Sequence, residues 1–190
     1  MDAMTSLKNH FLIAMPGLGD PNFFQTVTYI CEHNEEGTMG IVINRPTTIT
    51  LEELLPQMGV TPDPKYVDTV VLEGGPVEHE HGFLIHSPQG AWQSSMAITD
   101  EIYLTTSLDI INSFSATDTT ADCPEKFIIA LGYAGWGPNQ LEQEILDNSW
   151  LTVPANAEIL FDLPFTERWQ AAATIIGIDI NQLSSEAGHA

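Results

Sequence analysis

Residues 127–137 read FIIALGYAGWG, and this stretch decides the fold. Branched and aromatic residues followed by glycines predict a strand that ends in a glycine loop. On strand alternation one face is bulky and the other is built of small residues, Ala130, Gly132 and Ala134. Such a narrow face lets a helix or a ligand approach unusually closely, and close helix packing is the commoner explanation.

Further strands are predicted on both sides of this segment. Apolar runs bounded by Gly, Pro or Asn lie at residues 10–16, 26–32, 39–46, 69–75, 82–88 and 157–164, with one or two more within 94–107. Several of these runs follow one another without a helix between them, which favours α+β over a doubly wound parallel sheet. The last third alternates strand and helix, so some parallel pairing is possible there.

Four helices are predicted. The segment TITLEELLPQM (48–58) has the capping-box pair Thr50 and Glu53, and TSLDIINSFS (106–115) repeats that spacing. PNQLEQEILDNSW (138–150) follows the glycine loop with a proline at its start, a position that favours helix initiation. TERWQAAATIIGI (166–178) closes the series.

Length and charge restrict the function. A chain of 190 residues with 43% hydrophobic content predicts one domain, residues 1–190, with flexible ends at 1–6 and 185–190. The formal net charge of −21 repels phosphate backbones and anionic lipid, so neither direct nucleic-acid binding nor membrane binding is expected. Two cysteines without a disulfide framework, and no targeting segment, predict a cytoplasmic protein.

The segment LEGGPVEHEHGFLIHSP (72–88) contains three histidines. His79 and His81 share one strand face but lack a third ligand at a recognisable spacing, so no metal site is predicted. His86 points away from the neighbouring Ser87, which excludes a nucleophile–base dyad between them. A role for His86 as general acid or base stays open beside a structural role as a hydrogen-bonded strand-end histidine.

Two other features have a structural and a functional interpretation. Arg45 shares a strand face with Ile41 and Ile43, so it pairs with a carboxylate or is available to an anionic ligand. Gln140 and Glu144 lie one turn apart on a helix flank that faces either solvent or a groove. The glycine loop before this helix lacks a neighbouring Lys or Arg, and no nucleotide motif is present, so no cofactor is predicted.

Several segments, in this order, resemble the AlgH/YqgE family of bacterial proteins. They are FLIAMPGLGDPNFFQTVTYICEHNEEGTMGIVINRP, LEGGPV with GFLIHSP, and LGYAGWGPNQLEQEILDNSWL. The similarity runs from about residue 7 to the end of the chain. It implies a single cytosolic α+β domain in which a bifurcated mixed sheet with a small barrel-like element is surrounded by helices.

The resemblance implies motif positions rather than catalytic residues. The matching positions are Asn44, Arg45, Pro46, Gly74, Gly75, Pro76, Gly82, Phe83, His86, Gly132, Gly135, Trp136, Gly137, Gln140, Leu141, Glu144 and Trp150. Positions 78–81 are open in the family pattern, so His79 and His81 look incidental. Asn139 stands where the family usually has glycine, although asparagine tolerates a left-handed backbone.

Together these observations predict a regulatory module that binds a small ligand or a protein partner, without direct contact with DNA. The predicted ligand-binding residues are Asn44, Arg45, Gly74, Gly75, Pro76, His86, Gly135, Trp136, Gly137 and Gln140. One alternative is an enzyme of unknown reaction in which His86 is the acid or base and Glu144 or an aspartate orients it. Another is a transcription-linked regulator that acts indirectly.

Overall fold

The computed structural model describes residues 5–16, 23–88, 90, 92–117 and 123–177. The strands are β1 (His10–Ala14), β2 (Val27–Asn34), β3 (Gly37–Val42), β4 (Pro46–Thr50), β5 (Val70–Glu73), β6 (Val77–His86), β7 (Ser95–Ala97), β8 (Tyr103–Thr105), β9 (Phe127–Trp136) and β10 (Trp150–Pro154). The α-helices are α1 (Leu51–Gln57), α2 (Gln140–Leu146) and α3 (Arg168–Ile175). Short 3-10 segments lie at Pro64–Tyr66, Leu108–Phe114 and Phe165–Glu167, and a π-helical turn lies at Glu158–Asp162.

The predicted α+β class and bifurcated mixed sheet are confirmed. One curled, mostly antiparallel sheet runs in the order β10-β1-β2-β3-β9-β6-β8-β7 and forms a half-barrel with helices around it. The sheet branches at β9. This strand pairs antiparallel with β3 near Trp136, parallel with β5 at Ala130 and Leu131, and antiparallel with β6 along much of its length.

The small residues of β9 adjoin both a helix and a stretch of backbone. Ala134 shares a buried cluster with Leu141 of α2. Gly74 and Gly75, which connect β5 to β6, run beside β9, and the Gly74 N–H donates to the Leu131 carbonyl at 2.8 Å. A Cβ atom on Gly74 would come within 2.3 Å of the Gly132 carbonyl oxygen, and one on Gly75 within 2.1 Å of the Tyr133 carbonyl carbon. Gly132 also has a φ of +79°, a conformation that favours glycine. Small residues are therefore required where the sheet branches.

The buried apolar side chains form three clusters around the branched sheet. The largest joins β1, β2, β3 and β6 to α3 and the π-helical turn, and includes Phe11, Tyr29 and Ile85. A second cluster packs α1 and the Leu108–Phe114 segment against β6 and β9. Leu84 belongs to the second cluster while Phe83 and Ile85 belong to the first, as the strand alternation predicted.

Three sequence predictions of local structure differ from the structure. Residues 157–164 form no strand; Ile159 and Leu160 are adjacent and both buried, which suits a helical turn. The strand lies earlier, at Trp150–Pro154, because Asn148 takes a left-handed φ of 62° after α2 and turns the chain to pair with β1. The 106–115 helix is a 3-10 segment, and Thr50 is the N-cap of α1 without a side-chain capping bond.

In the described part of the chain, no helix combines the length and apolar character needed to span a bilayer. The predicted flexible ends fall largely on residues 1–4 and 185–190, which lie outside the described residues.

Candidate functional site

The predicted site residues do not converge on one groove. His86 pairs with Phe127 at the first residue of β9, whereas Trp136, at its last residue, contacts Glu144. β9 has ten residues, and at the rise of an extended strand its ends lie about 30 Å apart. The structure therefore does not bring His86 and Glu144 together, so Glu144 cannot orient the His86 ring.

His86 is a buried histidine with both ring nitrogens engaged, and it is 1% exposed. Nδ1 lies 2.7 Å from the Ser87 carbonyl oxygen, to which it must donate, so Nε2 accepts from the Thr105 hydroxyl at 2.6 Å. The Thr105 hydroxyl in turn lies 2.7 Å from the Ser95 hydroxyl. Burial lowers the pKa of His86 below its ordinary value, although the hydrogen bond to Ser87 opposes this. The neutral ring is thus a structural link between β6 and β8.

Glu144 accepts hydrogen bonds from two tryptophans. Its Oε1 receives the indole N–H of Trp136 at 3.3 Å and that of Trp150 at 3.1 Å, and its Oε2 receives the Gln140 amide at 3.1 Å. The Phe23 ring stacks on Trp136 and meets Trp150 edge-on. One carboxylate on α2 therefore joins the end of β9 to β10, which is a structural role.

A side chain at the start of α2 hydrogen-bonds to the glycine loop between β9 and α2. The Gly137 N–H donates to Gln140 Oε1 at 3.0 Å, which uses one of the N–H groups that an anion would need. Asn139 takes φ of 62° and ψ of 1°, so it adopts the left-handed conformation expected for a position that usually carries glycine. Gly135 is exposed. The loop shapes the start of α2 rather than forming an open anion site.

Asn44 and Arg45 lie at a shallow cleft of about 420 Å³ with Phe24, Phe165 and Trp169. The Asn44 side chain accepts from the Val27 N–H and donates to the Gln25 carbonyl, both at 2.9 Å, so it holds the start of β2. Arg45 Nη2 donates to the Phe24 carbonyl at 3.1 Å. Gly74 and Gly75 are buried under β9 at the sheet branch and Pro76 is half-buried, so none of these three lines the cleft.

The histidines of the 78–81 segment are exposed on β6. His81 Nδ1 is 3.7 Å from Glu78 Oε2, and both side chains are more than half exposed, at 71% and 52%. Among the described residues, no three side chains of the metal-binding types are grouped closely enough to hold an ion.

A larger concavity than the cleft at Arg45 lies between β6, α1 and the Leu108–Phe114 segment. We call it the apolar groove; its volume is about 730 Å³, and its apolar lining includes Leu54, Met58, Leu84, Leu108, Ile111 and Leu131. Two of these side chains expose much of their surface, Leu108 at 68% and Met58 at 39%. Large exposed apolar side chains beside a groove are typical of interaction sites.

The apolar groove also has an acidic rim. Glu80 and Asp109 line it, together with the exposed His81 of β6. Partial burial raises the pKa of Asp109, but hydrogen bonds from the Ser107 hydroxyl and the Gln93 N–H outweigh this and leave its pKa below the ordinary value. Asp109 is therefore a fixed negative charge at the edge of an apolar surface.

The sequence interpretation missed the apolar groove for a definable reason. Residues 106–115 are predicted to be a helix from their capping-box spacing, which does not indicate which apolar side chains the segment buries. The 3-10 form buries Ile110, Ile111 and Phe114 and turns Leu108 outward. Met58 is the C-cap of α1 and is exposed there.

The chain is an acidic α+β domain whose sheet branches at the central strand β9. A model of the AlgH-like family matches residues 11–181. A UPF0301 protein of Thioalkalivibrio sulfidiphilus is 53% identical over 190 residues, and one of Nitrosococcus oceani is 50% identical over 191, with 100% of each chain covered in both cases. The chain belongs to the AlgH-like family.

Two solved structures share the fold. The solution structure of the AlgH protein from Pseudomonas aeruginosa has a TM-score of 0.78 and 46% identity, and the match covers 100% of this chain and 99% of that one. A crystal structure of a Corynebacterium diphtheriae protein has a TM-score of 0.72 at 18% identity, over 97% of this chain and 94% of that one. The second likeness concerns the fold alone.

Proposed function

We propose that this protein is a binding module for another protein, and that it holds a cationic amphipathic segment of that partner in the apolar groove. The observation that carries the proposal is the combination of an apolar floor with the acidic rim residues Glu80 and Asp109. Helical segments that bind in such grooves insert apolar residues spaced one turn apart and place their charged face toward the rim.

Charge selects the partner. The protein carries −21 formal charges, so a cationic segment is attracted over a long range while an acidic one is repelled. The flexible thioether of Met58 adapts to different apolar side chains. Direct DNA binding is disfavoured by the same charge, so an effect on transcription is expected to pass through the protein partner.

A fluorescent helical peptide of leucine and lysine tests this proposal. We expect its anisotropy to rise on titration with the protein at about 0.15 M salt, where long-range attraction is largely screened. A peptide of the same composition with a scrambled pattern should bind more weakly, because its leucines no longer share one face. Absence of binding by the patterned peptide, or equal binding by both, contradicts the proposal.

Two matched variants locate the binding. Leu108→Asp adds a charge at the groove, and Leu146→Asp makes the same change on α2, where the leucine is 75% exposed. We expect Leu108→Asp to weaken peptide binding about tenfold or more, as for an interface hot spot, and Leu146→Asp to leave it within about twofold. Unchanged or equally tightened binding in both variants would mean that the peptide senses only net charge, and equal loss would mean that it does not bind in the apolar groove.

A further inference from the structure

Arg168, in the first turn of α3, is a buried cation with no described counter-ion. The residue is only 2% exposed. Nε donates to the Leu163 carbonyl at 3.2 Å, Nη1 donates to the Ile43 carbonyl, and the guanidinium lies 4.8 Å from the centre of the Phe165 ring. No Asp or Glu among the described residues lies within ion-pair distance of it.

A buried guanidinium without an anion is unfavourable. Removing a charge from water costs several kcal/mol unless the charge is paired and fully hydrogen-bonded. The carbonyl acceptors supply only part of this compensation. Desolvation accordingly lowers the pKa of Arg168 to about 10, so the group is still charged at neutral pH. The guanidinium has five N–H donors, and the described bonds engage two nitrogen atoms. Donors are left for a ligand.

Arg168 lines a cavity of about 380 Å³ that is separate from the apolar groove. We call it the Arg168 cavity. Its apolar walls come from β5, β9 and the segment before α3, including Val70, Leu72, Phe127, Phe161 and Phe165, and its polar lining is Asp68, Thr69, Asp162 and Arg168. A buried charged donor beside apolar walls can orient a small molecule whose body contacts those walls.

We propose that the Arg168 cavity binds a small monocarboxylic acid with an apolar body, whose carboxylate contacts the Arg168 guanidinium. The planar fork of an arginine matches the two oxygens of a carboxylate. Asp162 and Asp68 also line the cavity. Asp162 pairs with Lys126 at 2.9 Å, whereas exposed Asp68 disfavours ligands with more than one negative charge. This selects a monocarboxylate over a phosphate.

Octanoate, 1-octanol and inorganic phosphate are the probes for isothermal titration calorimetry. Octanoate is expected to bind about tenfold or more tightly than 1-octanol, since a hydrogen-bonded charge adds to the apolar contact. Phosphate is expected to bind more weakly than octanoate. Equal binding of octanoate and octanol, tighter binding of phosphate, or no octanoate binding overturns the proposal.

The two arginines of the chain supply a matched pair of variants. Arg168→Gln should weaken octanoate binding about tenfold or more, and Arg45→Gln, which removes the same charge outside the cavity, should not. In wild-type protein, octanoate should shift the Nε–H resonance of Arg168 and leave that of Arg45 in place. Unchanged affinity in Arg168→Gln, or an unmoved Arg168 resonance, contradicts the assignment. The resonance test does not depend on the variant's folding.

Discussion

His86 illustrates how one buried residue makes stability depend on pH. Its hydrogen bonds to Ser87 and Thr105 are complete when the ring is neutral, and a proton on Nε2 would face the hydroxyl that now donates to it. The folded protein therefore resists protonation of His86, and its pKa is lowered from the ordinary 6.5, mainly by burial. The unfolded chain binds this proton more readily than the folded protein does.

The sign of the effect follows from linkage. Since the folded pKa is the lower one, the contribution is fully present above about pH 6.5 and is lost progressively as the pH falls below it. We expect the free energy of unfolding by urea to drop between about pH 7.5 and about pH 5. The drop should be smaller in His86→Gln than in His79→Gln, which changes an exposed histidine.

An equal drop in those two variants would show that other groups cause the pH dependence. Glu142 does not act in this pH range. Partial burial raises its pKa, but its hydrogen bond from His33 at 2.5 Å outweighs this and holds the pKa below the ordinary value, so its contribution is lost only at more acidic pH. An NMR titration of the His86 ring in wild-type protein separates the two groups directly.

Among the elements, β9 and the β5–β6 connection determine the architecture. β9 takes partners from both halves of the sheet, and Gly74 and Gly75 run directly beside it. The sequence predicted the strand and its small-residue face. It could not show that the backbone of the β5–β6 connection comes so close, because small residues fit a helix, a ligand or another strand equally well.

A glycine substitution tests this packing. A Cβ atom on Gly75 would lie 2.1 Å from a backbone atom of Tyr133, whereas one on Gly82 in β6 would have no atom within 4 Å. We expect Gly75→Ala to lower the free energy of unfolding by about 3 kcal/mol or more, because backbone cannot move aside cheaply. Gly82→Ala should change it by no more than about 0.5 kcal/mol.

Chemical denaturation of both variants provides the comparison. Similar stability of Gly75→Ala and wild type would mean that the connection does not pack on β9 as described. The family resemblance marked Gly74, Gly75 and Gly132 together, but their grouping is explained by the sheet branch rather than by a ligand. The packing of the sheet is thus enough to explain this part of the motif.

At the scale of the whole molecule, the sequence predicted the class and the sheet but not the site. Composition and strand periodicity led to the α+β class, and the family resemblance implied the bifurcated sheet. The predicted ligand residues do not lie together. The length of β9 separates His86 from Glu144, and this separation depends on strand register. Leu108 and Arg168 were missed because their exposure and burial depend on tertiary packing that periodicity does not report.

The net charge and the apolar groove together lead to the central claim, a binding module for a cationic amphipathic segment. Mapping amide chemical shifts of the ¹⁵N-labelled protein on titration with the leucine–lysine peptide tests it most directly. We predict that the largest shifts fall on residues lining the apolar groove, Met58, Gly82, Leu84 and Leu108–Ile111. Largest shifts on α2 around Leu146, or an even spread over the acidic surface, would contradict the claim.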